Sequence, residues 1–179
     1  VKIAFYPLGK TDTEYKTPDG VTTIGSYAVS RQEYLYSLEL SEGVTEIEDY
    51  AFFNSLSVYK WRFPTTLPAA ELGNKTVFSG GSKIGHLVAA SSDMVKSIPS
   101  SAKSSLVTLE FLDGITSYSW DEISASHIYG IQEFIFPKTL TNLQFNYDSW
   151  IGIDNMFRPL DNLRKFQIDP DNPAYATDG

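Results

Sequence analysis

Apolar residues fall along this chain at spacings that recur. In the stretch LYSLELSEGVTEIEDYAF, from Leu35 to Phe52, they stand at Leu35, Leu38, Leu40, Val44, Ile47 and Ala51, with gaps of 3, 2, 4, 3 and 4. Leu38 and Leu40, two apart, share one face of extended backbone because side chains alternate along a strand. This predicts a short inward-facing strand. The wider gaps that follow turn the chain back along the other side of the same core, with a helical turn over the last few residues.

The same spacing returns along most of the sequence. Val21, Ile24 and Ala28 repeat the second half of the pattern, and GVTTIGSYA nearly copies GVTEIEDYA at a distance of 23 residues. Residues 1–34 therefore read as an irregular N-terminal unit supplying only that second half, with an alternating strand over Val1–Tyr6. Val58, Trp61, Phe63 and Leu67 begin the next copy, whose later part degrades: Ala70 takes the slot of Ile47, and Gly80-Gly81 marks a loop or insertion. The poorest copy, Ile84, Leu87 and Ala89 with Met94, Val95 and Ile98 behind them, makes 71–105 a degraded repeat. The pattern sharpens again at Leu106, Leu109, Phe111, Ile115 and Tyr118, and at Ile131, Phe134, Phe136, Leu140, Leu143 and Tyr147. An insertion is expected over 148–162, before a last copy at Leu163, Phe166 and Ile168.

Copies that start at 35, 58, 84, 106, 131 and 163 are separated by 23, 26, 22, 25 and 32 residues. A period in the range of about 20 to 29 residues with an L-x-x-L-x-L core marks a leucine-rich-repeat solenoid. One coil cannot bury its own apolar edge, so it stacks on the next. The expected fold is a right-handed β/α superhelix with short parallel strands, and mostly short helical turns or loops on the convex side. It forms a single domain over 1–179 with roughly six or seven degenerate repeats. TPDGVTTIGSYA, LELSEGVTEIEDYAF, FPTTL, FPKTL and the closing IDPDNPAYATDG resemble the BspA-like leucine-rich repeat family, most specifically over Tyr15–Leu67 and Ile131–Gly179. Asn54 and Ser55 stand where that family often has Cys, and a small buried residue suffices there. The resemblance implies an exported or surface-anchored bacterial or protist protein whose repeats form a binding surface, in some members for host extracellular matrix proteins. It brings no catalytic residue.

Charge narrows the partners. A net charge of -8 with no run of Lys or Arg argues against nucleic acid, which needs a cationic surface to displace counterions. The absence of Cys removes disulfides, thiolate metal sites and cysteine nucleophiles. No apolar run approaches the roughly 20 residues of a membrane helix. A start at Val rather than Met points to something removed before it, a signal peptide or a cloning boundary. The final Asp178-Gly179 reads as cut in mid-motif, which predicts further repeats or an anchor beyond it.

Few residues suggest chemistry. His86 and His127 are the only histidines, and neither is spaced to join a nucleophile and an orienting acid. Asp169, Asp171 and Asn172 fit a rigid Pro-flanked turn better than a calcium loop. Asn74-Lys75-Thr76 is a glycosylation sequon that matters only in a host that glycosylates. The better working surface is the strand face turned away from the core. Its flanking positions, Ser37, Glu39, Lys60, Arg62, Thr108, Glu110, Glu133, Ile135, Lys165 and Gln167, are expected to align as a mixed-charge concave ribbon. Tyr36, Tyr59, Trp120, Tyr129 and Trp150 are aromatics outside the core pattern, suited to packing loops or to anchoring a ligand. The expectation is a non-enzymatic adhesion module with no cofactor and no metal, binding a protein ligand at the cell surface. The alternative is a glycan-binding or cell-wall-associated module that uses exposed aromatics.

Overall fold

The computed structural model describes residues 1–74, 76–119, 128, 130–144 and 162–176. In chain order its strands are β1 (Lys2–Ile3), β2 (Glu14–Lys16), β3 (Thr23–Ile24), β4 (Ser37–Glu39), β5 (Glu46–Ile47), β6 (Lys60–Arg62), β7 (His86–Ala89), β8 (Thr108–Phe111), β9 (Ser117–Ser119), β10 (Glu133–Phe136), β11 (Asn142–Gln144) and β12 (Lys165–Ile168). The helices are α1 (Ala69–Gly73), α2 (Ser92–Ser97) and α3 (Ser100–Lys103). Seven strands form one parallel sheet in the order β12-β10-β8-β7-β6-β4-β2. Each coil of the chain contributes one strand and returns along a second wall, so the core lies between the two.

The residue at the centre of each strand pairs with the centre of the next. Tyr15, Leu38, Trp61, Leu87, Leu109, Phe134 and Phe166 form one column in register. Leu38, Leu109 and Phe134 are 1%, 0% and 0% exposed. Two residues on, Leu40, Phe63, Ala89, Phe111 and Phe136 are buried beside them. Each such side chain contributes about 1.5–3 kcal/mol relative to leaving it in water, which is why the two-apart spacing decides the fold. Trp61 packs edge-on against Phe52 and Phe78, and its indole N–H donates to Val58 and Lys83 carbonyls at 3.0 and 3.1 Å, so its one polar atom is satisfied.

The returning wall holds more than turns. β1, β3 and β5 pair as a second parallel ladder, and β9 and β11 pair as another. Between them α1 and α2 take the place of strands. The sequence explains the change: Pro68 precedes Ala69-Ala70-Glu71, which are good helix formers with an acid in the first turn, and the Ser91 hydroxyl caps α2 by accepting the Met94 N–H. A helix cannot pair with the edge of β5. Glu71 replaces the missing strand there, its carboxylate accepting the Ile47 N–H at 3.0 Å. Behind α2, the ammonium of Lys103 donates to the carbonyls of Val95 and Lys96 at 2.8 and 3.2 Å, satisfying the helix end from within the core.

Several expectations need correction. Ala70 does not fill the Ile47 slot; it is exposed, and the fully buried Leu72 reaches the core instead, because a helical turn shifts the inward position by two residues. Residues 1–34 supply a first-half strand as well, since β2 pairs with β4 in the main sheet. Of the expected Val1–Tyr6 strand, Lys2–Ile3 pairs in a ladder with β3, and the Tyr6 N–H reaches the Ala28 carbonyl beyond it. Tyr147 and the expected insertion, apart from Asn162, lie outside the described residues.

The repeated text has a physical reading. Gly43 and Gly114, of SEGV and LDGI, adopt φ of +101° and +113°, which a side chain would strain. Each donates its N–H at 2.9 Å to a Thr hydroxyl on the next coil, Thr66 and Thr139, and those hydroxyls donate to the carbonyls of Val44 and Ile115. FPTTL and FPKTL therefore keep the Thr that fastens one coil to its predecessor. Ser55, fully buried, donates to the Val29 carbonyl, and Ser82 does the same for Phe52.

Candidate functional site

Because core residues sit at strand centres, their flanks point away from the core. The register sets these flanks in two rows. One holds Glu14, Ser37, Lys60, His86, Thr108, Glu133 and Lys165; the other holds Lys16, Glu39, Arg62, Val88, Glu110, Ile135 and Gln167. All ten residues expected on the ribbon occupy these rows. The structure adds Glu14 and Lys16, missed because residues 1–34 read as supplying only the second half of the pattern, and His86 and Val88, missed in the poorest repeat. Leu87 at the centre of β7 was the signal for the latter pair.

Four Lys or Arg and four Glu lie on these rows, so the formal charges cancel although the chain as a whole carries -8. They pair across strands. Glu39 meets Lys16 at 3.0 Å and Arg62 at 3.4 Å, and Glu133 meets Lys165 at 2.8 Å. Glu110 accepts from His86 Nε2 at 2.9 Å, with Lys60 Nζ at 3.8 Å. The hydrogen bond to His86, with the charges of Lys60, His86 and Arg62, holds the Glu110 carboxyl below its usual range against the opposing effect of burial. The middle of the ribbon is the most enclosed part: Thr108 is 7% exposed and Val88, outward-facing between Arg62 and Glu110, only 1%. Lys165, at the sheet's edge, is exposed.

An aromatic ledge borders the ribbon. Tyr36 is half exposed and stacks on Tyr59, with ring centroids 5.3 Å apart. Tyr59 lies over Gly85, where a Cβ would come within 1.9 Å of its ring, so only glycine fits. Beside the ledge, a basin of about 280 Å³ is lined by Glu14, Tyr36, Ser37, Glu39, Lys60, Arg62 and Val88. Trp120, His127, Tyr129 and Trp150 lie outside the described residues.

The remaining candidates have structural partners. Asp169 accepts the Asp171 N–H at 2.8 Å; Asn172 accepts from Ala174 and Tyr175 and donates to the carbonyls of Pro137, Lys138 and Leu140. This turn docks on the preceding coil, which explains the D-x-D-N-P-x-Y text. Among the described residues no cluster of three His, Cys, Asp or Glu is placed to hold a metal ion. None of their hydroxyls bonds to His86, whose polar partner is Glu110. In the sequon, the Asn74 amide and the Thr76 hydroxyl both donate to Asp49, which lowers the Asp49 pKa. No helix among the described residues is long and apolar enough to cross a membrane.

A family model described as a BspA type leucine rich repeat region matches residues 2–123 in six copies. It runs through the degraded repeat and stops before Ile131, whereas the motifs pointed as strongly to the C-terminal part. Two solved structures are similar at low identity. The pneumococcal vaccine antigen PcpA aligns at 19% identity and a TM-score of 0.49 over 96% of this chain and 40% of its own. A leucine rich cell surface protein from Faecalibacterium prausnitzii A2-165 aligns at 18% identity and 0.43 over 94% and 35%. The chain thus spans well under half the length of either. No curated protein matches it.

Proposed function

Since the chain belongs to the BspA-type leucine-rich repeat family, we propose that it is a non-enzymatic binding module displayed outside the cell, taking a protein ligand on the outward face of the main sheet. The observation that carries this reading is the in-register double row of charged side chains across seven strands, with no net charge on a chain of -8. Solenoids use such extended faces for partners. A ribbon of mutually paired charges suits a partner of equally mixed charge, which exchanges ion pairs at contact and gains specificity from their register. Ser37, Glu39, Lys60, Arg62, Thr108, Glu110, Glu133, Ile135, Lys165 and Gln167 form the proposed site, joined by Glu14, Lys16, His86 and Val88.

The test is an array of immobilised host matrix proteins and glycans probed with this chain. Protein binding that is lost on charge reversal at Glu39, Arg62 and Glu110, and weakened by added salt, supports the ribbon. Protein binding indifferent to all three reversals rejects it. A glycan-binding reading is favoured by one observation, the half-exposed Tyr36 ring beside a polar basin, since aromatic faces pair with apolar ligand surfaces while the polar groups fix orientation. It predicts glycan signals lost on Tyr36→Ala with charge reversal at Glu110 harmless.

A further inference from the structure

A groove runs past the C-terminal ends of β8, β10 and β12, on the outward side of three successive coils. Its volume is about 540 Å³. Leu112, Ile135, Pro137, Ile168 and Pro170 give it an apolar lining, and Glu110, Asp113 and Asp169 supply carboxylates. No Lys, Arg or His lines it. Lys138 touches Asp113 from outside at 3.6 Å, and Lys60 and His86 reach Glu110 from the ribbon side. Among the described residues no cation pairs with Asp169, whose carboxylate accepts a backbone N–H.

An apolar floor bordered by three carboxylates, of which Asp169 has no cation partner among the described residues, selects by two criteria at once. A purely apolar ligand leaves the carboxylates facing low-dielectric surface, and a small cation leaves the floor wet. A lysine or arginine side chain meets both demands, its methylene stem lying on apolar surface while its charged head reaches the rim. Three strands at about 4.8 Å spacing set the groove's span near 10 Å, the length of roughly three extended residues. We propose that this groove is a docking site for an extended protein segment in which basic and apolar residues alternate, one basic head meeting Asp169. The inference rests on the protein-ligand reading above for the class of partner; the groove shares Glu110, Ile135 and Gln167 with the ribbon and continues past the strand ends to Leu112, Asp113, Asp169 and Pro170.

The probe is a blocked hexapeptide alternating leucine and lysine, with a leucine–glutamate peptide as its control, titrated calorimetrically into the whole chain with amide shifts mapped by NMR. The expected result is saturable binding of the first peptide only, with shifts concentrated at Leu112, Ile135 and Ile168. Asp169→Asn should weaken it roughly tenfold, about 1.4 kcal/mol. Ile135→Lys, which places a cation in the groove, should abolish it, and Glu39→Lys should leave it unchanged. Absence of saturable binding, equal binding of the glutamate peptide, or equal weakening by Glu39→Lys overturns the proposal. The ribbon is judged by the array with the reversals at Glu39 and Arg62, which do not line the groove, so either can fail alone.

Discussion

The coil from Leu35 to Ser57 and the coils from Val58 to Ser105 solve one problem in two ways. The first returns through strand β5, where Ile47 is 3% exposed. The others return through α1 and α2, where Leu72, Met94 and Val95 are buried instead. Both keep the first-half strand and its place in the central column. The demand on the returning half is therefore weaker: it must bring one or two apolar side chains to the core and leave no backbone group of its neighbour stranded. Glu71, accepting the Ile47 N–H, meets the second condition at the strand-to-helix seam.

The largest effect expected from this comparison lies in the helical return. Leu72→Asp buries an uncompensated charge and should cost more than about 4 kcal/mol, enough to unfold many domains of this size. Ala70→Asp, on the exposed face of the same turn, should stay within about 0.5 kcal/mol. Denaturant titration separates them. Equal effects would return Ala70 to the Ile47 slot and remove the two-residue shift.

This shift marks the limit of what was legible in the chain. The spacing of Leu38 and Leu40 was enough to place every strand centre from Leu38 to Phe166, because period two is unambiguous once a core side is chosen. It located the ribbon too, since outward residues are simply the flanks. It missed Leu72 because a fixed template presumes one backbone geometry, whereas PAAELG is helical by local preference. Glu14 and Lys16 were hidden because Tyr15 and Thr17 do not look like the Leu pair they replace. Cross-coil fastenings such as Thr66 on Gly43 join residues 23 apart, and only a folded stack shows why those letters persist.

A smaller effect concerns pH. Burial lowers the pKa of Lys103 from 10.5 to about 8. Because the unfolded chain then holds its proton to higher pH than the folded one, stability should rise between about pH 8 and 10.5. The regular coil has no counterpart. Lys103→Met should remove the rise, measured as the difference between the two proteins' urea midpoints across that range. A slope unchanged by the substitution would place the effect elsewhere.

Smaller again is the fit at Gly85. Gly85→Ala sets a methyl against the Tyr59 ring and should cost about 1–3 kcal/mol, recovered in large part by Tyr59→Ala in the double variant. Simple additivity in the cycle would mean that ledge and strand are independent.

Alternation is the central claim: strand centres hold the stack, and their flanks face away from the core. A chain without Cys allows this to be read directly with single substitutions and thiol labelling under native conditions. Leu38→Cys, Leu87→Cys and Leu109→Cys should label at least a hundredfold more slowly than Glu39→Cys and Gln167→Cys, and only as the chain unfolds. Rapid native labelling at Leu87, in the helical region, while Leu38 stays protected, would show the column to be broken there and contradict a continuous seven-strand face.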